Sequence, residues 1–240
     1  MGRPADPAEV LFEQMLNQLL KGEGHVAKSG RQGVTGERLD QGDTRRRLVE
    51  GAIEALREDG FGGASARAIA GRAGCNQALV FYHFGSVVNL LLAALDETSR
   101  RRMERYCGAL ADVSDLSDLA AVATEIYRED MDGGHIAVLS EMIAGASSTA
   151  GLGAEVAARV APWIDFTEST LKRVLPPTPI DQLLPTRDLA YGLVALYLGI
   201  EMLSHLDDER DEAESLLSTA SRIAGLLGAL GARQPQAEGG

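Results

Sequence analysis

Apolar residues recur along most of the chain at intervals of three and four, the spacing of one helix face, and glycine or proline marks the breaks between such segments. No segment shows the strict alternation of apolar and polar residues that is typical of half-buried β-strands. Beyond residue 107 the pattern predicts helices at about 115–131, 134–149, 152–175, 186–207 and 210–230. The predicted fold class is all-α.

The first 43 residues have a different pattern from the rest of the chain. Asp6-Pro7-Ala8-Glu9 is typical of a helix start, and an apolar stripe follows it at Phe12, Met15, Leu16, Leu19 and Leu20. Residues 22–43 are glycine-rich and polar, which predicts a flexible linker. Residues 1–43 are therefore predicted to be an N-terminal extension. The alternative is a start codon assigned too far upstream, which would make this segment a non-native tail.

Four helices are predicted between residues 44 and 106, and the first three end at a glycine. The second, third and fourth follow Ser or Asn, whose side chains can accept a backbone N–H at a helix start. The first runs from about Thr44 to Asp59; the others are ARAIAGRA after Ser65, QALVFYHF after Asn76, and a long helix opened by Ser86. Two short helices joined by a turn of about four residues predict a helix-turn-helix.

The second helix of such a motif enters the major groove of DNA with its N-terminal residues. Gln77 lies at that position, and a Gln side chain can make a bidentate contact to adenine. Arg67 can reach a guanine edge or a phosphate, and Ala78 is small enough to contact a thymine methyl group. One turn later, Tyr82 and His83 suit phosphate contacts. With the two capping residues, the predicted DNA-binding residues of the motif are Ser65, Arg67, Asn76, Gln77, Ala78, Tyr82 and His83.

Arg45 and Arg46 begin the first of these helices and are also candidate DNA-binding residues. A positive cluster at a helix N-terminus is mildly unfavourable because of the helix dipole, which favours a partner anion such as a phosphate. The alternative is a solvated helix start.

Residues 44–95, TRRRLVEGAIEALREDGFGGASARAIAGRAGCNQALVFYHFGSVVNLLLAAL, resemble the DNA-binding domain of the TetR family of transcriptional regulators. The resemblance depends on Thr-Arg before the first helix, EDGF, the S-x-R-x-IA-x-RAG pattern, the YHF ending and Ser86. It implies a homodimer that binds a palindromic operator in double-stranded DNA. It also implies a variable C-terminal helical domain that holds a small-molecule effector and the dimer interface.

Three positions depart from the family pattern. Leu79, Phe81 and Val87 are apolar where the family often has Thr, Tyr and Lys, which ordinarily contact phosphate. The resemblance therefore implies weaker contact with the DNA backbone, or contact recovered by the Arg45–Arg47 cluster or by the linker residues Lys28, Arg31 and Arg38. The alternative for these linker residues is a solvated tether.

The net charge of −12 is unevenly distributed. Residues 44–106 hold 10 Arg and 7 acidic residues, whereas residues 107–240 hold 8 basic and 21 acidic residues. This asymmetry is typical of a basic interaction domain, here residues 44–106, attached to an acidic domain. Two cysteines form no disulfide framework, the N-terminus is unlike a signal peptide, and the apolar run Leu189–Ile200 is too short to span a bilayer. The composition predicts a soluble, cytoplasmic protein that does not bind a membrane.

The predicted effector pocket is apolar and lies in the C-terminal half. Aromatic and Met side chains on several predicted helices suit a concave apolar site, although side chains of this kind are also ordinary core residues. Glu141 lies within an apolar run, where it is either at the helix margin or a ligand anchor. The candidate lining residues are Glu141, Met142, Trp163, Phe166, Tyr191, Tyr197 and Met202.

The last two predicted helices are apolar around much of their circumference and rich in Gly, Ala and Ser, which suits a dimeric four-helix bundle. By the family resemblance, these helices are where the interface usually lies. The predicted interface residues are Leu193, Leu196, Ile200, Leu203, Ile223, Leu226, Leu227 and Leu230.

The sequence contains no motif that favours an enzyme, and its four His residues lack partners at metal-ligand spacing, so neither catalytic residues nor a metal nor a cofactor is predicted. The predicted domains are the extension 1–43, the DNA-binding domain 44–90, the effector-binding and dimerisation domain 91–232, and a disordered tail 233–240. The function expected is that of a ligand-responsive transcriptional repressor with an effector of unspecified identity. The alternative is a helical interaction protein whose helix-turn-helix no longer binds DNA sequence-specifically.

Overall fold

The computed structural model describes residues 35–133, 136–175, 184–206 and 211–231, with side chains for 41–130, 136–175, 184–204 and 211–226. These residues form nine helices and no strand, which confirms the all-α prediction. The predicted N-terminal helix, most of the predicted linker and the predicted tail lie outside the described residues. In chain order the helices are α1 Thr35–Gly63, α2 Ala66–Ala73, α3 Ala78–Phe84, α4 Val87–Ala109, α5 Leu116–Gly133, α6 Ile136–Ala146, α7 Leu152–Val174, α8 Thr186–Leu206 and α9 Asp211–Gly231.

Helix α1 begins earlier than the sequence pattern predicted. The range 22–43 was expected to be a flexible linker, but α1 starts at Thr35, so this expectation is wrong for residues 35–43. Glycines suggested the linker, yet a glycine inside a helix costs only about 1 kcal/mol relative to alanine, which a long continuous helix can absorb. Near the other end, Gly60 leaves the helical conformation with φ 71° and ψ 179°, so the regular part of α1 ends at the predicted glycine, although the range of α1 continues past this kink to Gly63.

The first compact unit comprises Met1–Glu104 and Ala137–Val160. Its core joins the faces of α1, α2 and α3 to the first part of α4, and it includes Val138, Met142, Leu152 and Val156. The sequence placed a domain boundary at residues 90 and 91, but this unit continues to Glu104 because Leu91, Leu92, Ala94 and Leu95 are buried in the same core.

A polar contact and a ring contact fix α6 to the turn that ends α1. The Glu141 carboxylate (Oε2) accepts a hydrogen bond from the backbone N–H of Phe61 at 2.8 Å. The Phe61 ring packs so closely on Gly145 that a Cβ atom there would lie 2.4 Å from it. Residues far apart in the chain thus belong to one unit because α6 packs on the helix-turn-helix region.

The second compact unit comprises Arg105–Ile136 and Ala161–Gly240. Helix α5 contacts both α8 and α9. Its hydrophobic core contains Tyr106, Leu110, Val113, Ile126 and Val174, with partly buried side chains such as Trp163 packed against them. Among the described helices, none alone is long and apolar enough to cross a membrane; α3 and α4, which meet at 68°, pass that test of length and composition only as a bent pair.

Candidate DNA-binding surface

The turn between α2 and α3 is held by local capping and by a side chain from α1. Ser65 Oγ accepts the backbone N–H of Ala68 at 3.2 Å, so Ser65 caps α2 as predicted. Gly74 ends α2 in the left-handed conformation, at φ 61° and ψ 40°, as predicted; only glycine adopts this readily. The Arg47 guanidinium donates hydrogen bonds to the carbonyl of Ala73 and, at 2.9 Å, to that of Gly74. Arg47 therefore fixes the turn to α1.

Helix α3 begins one residue later than the sequence predicted. Asn76 Oδ1 accepts the backbone N–H of Ala78 at 2.8 Å, so the predicted capping role of Asn76 is confirmed. The helix itself starts at Ala78, with Gln77 as the flanking residue in a right-handed helical conformation. Ser65 and Asn76 thus use their side-chain oxygens at helix starts, and whether either also contacts DNA stays a prediction.

One side of α3 packs on the core of the first unit. Val80 is fully buried, and Leu79 and Phe84 pack against the same core while partly buried. Val87, at the start of α4, does the same. Two of the three positions that depart from the family pattern, Leu79 and Val87, therefore carry apolar residues that contribute to packing.

The other side of α3 faces away from the core. Gln77 and Ala78 are exposed, Phe81 is 51% exposed and Tyr82 is 70% exposed. Residues four apart are neighbours on a helix surface, so Gln77 with Phe81 and Ala78 with Tyr82 form two adjacent rows. On α2, Arg67 is exposed as well. We call the two rows on α3 the recognition face.

His83 and Arg45 lie at the edge of this face. The rings of Tyr82 and His83 meet edge to face with centroids 5.0 Å apart, and His83 is partly buried. Burial, with a smaller contribution from the charge of Arg45, lowers the pKa of His83 below its usual 6.5. The imidazole is therefore mostly neutral at pH 7 and can donate one N–H to a phosphate. The Arg45 guanidinium lies over the Phe84 ring, 5.1 Å from its centroid, in a cation–π contact.

Arg46 forms an exposed ion pair with Asp43 at 2.6 Å. An exposed pair of this kind contributes little stability in water. Arg46 could therefore exchange Asp43 for a DNA phosphate with little loss of folding free energy.

The residues predicted to line an effector pocket are divided between the two units. Glu141 and Met142 belong to the first unit, where Glu141 binds Phe61 and Met142 is fully buried in the core. Trp163, Phe166 and Tyr197 lie together in the second unit, packed against its core. Tyr191 and Met202 also belong to that unit but are 63% and 37% exposed. The structure thus brings together three of the seven predicted residues.

Sequence reasoning missed a buried polar cluster beside Trp163. Asp130 is only 2% exposed and accepts hydrogen bonds from the hydroxyl groups of Tyr106 and Tyr197 and, at 2.6 Å, from Arg105. The Tyr106 ring also meets Trp163 edge to face at 5.3 Å. In the sequence, Asp130 is one acid in the run REDMD, which is typical of a solvated helix face, so no local signal identified it.

Most of the predicted dimer-interface residues with described side chains are exposed. On α8, Leu193, Leu196 and Leu203 are 37%, 51% and 69% exposed; on α9, Ile223 and Leu226 are 53% and 66% exposed. Ile200 differs, because it lies where the exposed stripe of α8 meets the buried face and is only 8% exposed. The side chains of Leu227 and Leu230 lie outside the described residues.

Comparisons with known proteins agree with this geometry. Residues 48–94 match the family model described as "Bacterial regulatory proteins, tetR family". An uncharacterized HTH-type transcriptional regulator of Mycobacterium tuberculosis strain H37Rv is 30% identical over 104 residues, which are 43% of this chain and 53% of that protein. The chain thus spans about half the length of the curated relatives it matches.

Two solved structures have the same fold as this chain over most of their own length. A regulator from Pseudomonas aeruginosa PAO1 superposes with a TM-score of 0.62 at 19% identity, over 82% of this chain and 96% of its own. A TetR-family regulator from Rhodococcus sp. gives a TM-score of 0.62 at 20% identity, over 76% of this chain and 98% of its own. Residues 48–94 thus form a helix-turn-helix domain of the tetR family of bacterial regulatory proteins, and the helical region that follows has the fold seen in these two structures.

Proposed function

We propose that this protein is a DNA-binding transcriptional regulator, a ligand-responsive repressor that binds a palindromic operator as a homodimer. The recognition face of α3 carries the proposal. It presents the exposed side chain of Gln77 at the N-terminal end of the helix and the exposed side chain of Tyr82 one turn later. Arg47 hydrogen-bonds to the turn that precedes this helix, and Gly74 in that turn has the left-handed conformation. Gln is a residue that contacts adenine edges in the major groove, and a Tyr hydroxyl contacts phosphate.

A homodimer would place two such faces on one duplex. Helix-turn-helix dimers bind half-sites about 34–36 Å apart, and a second, rigid contact must fix that separation. The exposed apolar side chains of α8 and α9 support dimerisation there, because a self-complementary apolar surface buries itself in a two-fold contact. Leu203 and Leu226, the most exposed members, belong to this proposed interface.

The effector is proposed to bind in the second unit. Trp163, Phe166 and Tyr197 offer aromatic surface, and the neighbouring Asp130 cluster offers polar groups; a site of that composition suits a largely apolar small molecule. To change operator occupancy strongly, the effector must bind one conformation of the dimer more tightly by several kcal/mol. Trp163 is the only Trp, so a change in its fluorescence on addition of candidate compounds reports binding directly.

The experiment that tests the function is selection of binding sites from a random DNA duplex library, followed by a mobility shift with the selected duplex. The expected result is an inverted repeat bound by two chains. Arg67→Ala and Gln77→Ala are each expected to weaken specific binding by about 1–3 kcal/mol and to relax selectivity at one base position per half-site. Arg57→Ala removes another exposed arginine of the first unit and is the matched control for charge.

A second candidate function is that of a helical interaction protein that no longer binds DNA sequence-specifically. The apolar residues at Leu79 and Val87 favour it, because both pack against the core and neither offers a hydrogen bond to phosphate. Under this alternative the selection yields no enriched sequence, and Gln77→Ala leaves the affinity for any duplex unchanged.

A further inference from the structure

Phe81 is the apolar member of the recognition face. Its side chain is 51% exposed, whereas Leu79, Val80 and Phe84 of the same helix pack against the core of the first unit. Its phenyl ring carries no hydroxyl, so it cannot make the phosphate hydrogen bond that a Tyr would make at this position. Tyr82, next in the chain, carries the exposed hydroxyl instead. The two adjacent aromatic residues therefore offer DNA different chemistry.

In the major groove, the apolar feature of a base edge is the C5-methyl group of thymine, and Phe is among the side chains that contact it. Phe81 follows Gln77 by four residues, which is about 6 Å along the helix axis. Successive bases of one strand are about 3.4 Å apart, so a helix lying along the groove would place Phe81 one or two base pairs beyond the position of Gln77. Gln77 and Phe81 share one row of the recognition face, so both side chains extend toward the same groove.

We propose that Phe81 is a specificity-determining residue that contacts a thymine C5-methyl group in each half-site, one or two base pairs from the base that Gln77 contacts. This inference rests on the proposed function, since it needs an operator. It assigns to Phe81 a sequence-dependent contact, in place of the sequence-independent phosphate contact expected from a Tyr.

The test uses the full chain and the selected operator, in which each thymine of a half-site is replaced in turn by deoxyuridine. This replacement removes only the C5-methyl group. At one thymine, the wild-type protein is expected to bind the deoxyuridine operator about fourfold more weakly per half-site, which corresponds to one buried methyl group. Phe81→Ala is expected to bind the thymine operator more weakly and to show no difference between the two operators. Phe81→Leu, which keeps an apolar side chain, is expected to retain part of the preference.

Controls separate the contact from folding and from general DNA affinity. Because Phe81 is exposed, both variants are expected to keep the wild-type Tm and the wild-type affinity for unrelated DNA. Ile143→Ala removes a comparably exposed apolar side chain of the same unit, 41% exposed on α6, and is expected to leave the thymine preference unchanged.

The outcomes distinguish this inference from the proposed function. If the wild-type chain selects no sequence, the proposed function fails and the inference fails with it. If it selects an operator but binds thymine and deoxyuridine equally at every position, the inference alone is overturned. The same conclusion follows if Phe81→Ala keeps the full wild-type preference, because the methyl contact then belongs to another residue.

Discussion

The two compact units leave large apolar side chains exposed to different extents. Among the described residues, the first unit exposes only Phe81, Tyr82 and Ile143. The second unit exposes many more, mostly on α8 and α9: Leu184, Tyr191, Leu193, Leu196, Met202, Leu203, Leu216, Ile223 and Leu226. Large contiguous apolar surfaces on soluble proteins usually mark interaction sites. The first unit therefore buries nearly all of its described large apolar side chains, while the second exposes the apolar side chains on which the proposed dimer depends.

The two units also differ in the space around some of their glycines. In the first unit, a Cβ atom at Gly51 would lie 2.9 Å from the carbonyl oxygen of Ile69, and one at Gly145 would overlap the Phe61 ring. On α8, Gly192 and Gly199 have no atom within 4 Å of the Cβ position. Gly51 and Gly145 thus allow close packing within the chain, whereas Gly192 and Gly199 leave open space beside the exposed leucines of α8.

The largest expected effect is on the proposed dimer. Leu226→Glu places a charge on the exposed stripe of α9 in both subunits, and its desolvation is expected to cost several kcal/mol of dimer stability. Sedimentation at low micromolar concentration should then show a monomer with greatly weakened operator binding. Ser218→Glu puts the same charge on an exposed position of α9 away from that stripe and should remain dimeric. A Leu226→Glu protein that sediments as a dimer would place the interface elsewhere.

The next largest expected effect is on the stability of the first unit, through the packing of α1 on α2. Gly51→Ala should lower the free energy of unfolding by about 1–3 kcal/mol, because the added methyl group meets the backbone of α2 and forces α1 and α2 apart. Urea denaturation measures the change. Gly71→Ala is the matched control, since no atom lies within 4 Å of that Cβ position and alanine favours helix. Equal stabilities for the two variants would show that the α1–α2 contact is looser than described.

Removal of the Tyr82 hydroxyl should have a smaller effect, and this effect is on DNA affinity. Tyr82→Phe is expected to weaken binding by about 0.5–1.5 kcal/mol, equally for operator and unrelated duplexes, because a phosphate contact carries no sequence information. Titrations with both duplexes by fluorescence anisotropy measure the two affinities. Tyr191→Phe removes the hydroxyl of a comparably exposed Tyr in the second unit (63% exposed) and should change neither affinity. A loss confined to the operator would contradict the phosphate role.

The smallest effect concerns acid stability of the first unit. Hydrogen bonds from Arg100, then from Arg101, lower the pKa of Glu97 below its usual 4.5, although partial burial opposes this. Since the folded-state pKa is depressed, the resulting stabilisation is complete above about pH 4.5 and is lost as pH falls through the folded-state value.

Glu97→Gln should therefore flatten the fall in unfolding free energy below pH 4.5, measured by urea denaturation at several pH values. Glu54→Gln, at an exposed position of the same unit, serves as the control. An unchanged acid profile for Glu97→Gln would assign the stabilisation to other carboxylates.

The sequence predicted those parts of the site whose geometry depends on neighbouring residues. Ser65, Asn76 and Ser86 each accept a backbone N–H within three residues, as their positions after a break indicated. Gly60 and Gly74 adopt the positive φ angles expected of helix-ending glycines. Cap and turn geometry depends on side-chain hydrogen bonds and steric limits within one turn of helix, so a local pattern is sufficient to predict it.

The partners of buried and bridging side chains could not be predicted in the same way. Arg47 was one of three similar arginines, and only the packing of α1 on α2 places its guanidinium at the turn. In the sequence Asp130 resembles a surface acid, whereas in the structure it is buried and accepts hydrogen bonds from Tyr106 and Tyr197. The contacts of Arg47 and Asp130 are made with residues that are far away in the sequence. The local spacing of residues does not predict which of these come close together in the fold.

By itself, then, the sequence determined the helical fold class, the helix-turn-helix and the residues at the start of its second helix, because periodicity and capping act over a few residues. The tertiary structure decided that residues 137–160 join the first unit, that Ile200 is buried while Leu203 is exposed, and that Phe81 faces outward while Leu79 and Phe84 face the core. The physical reason is that burial is a property of the whole packed unit. Each apolar residue on a helix can lie on the core or on the surface, and only contacts between distant helices select between them.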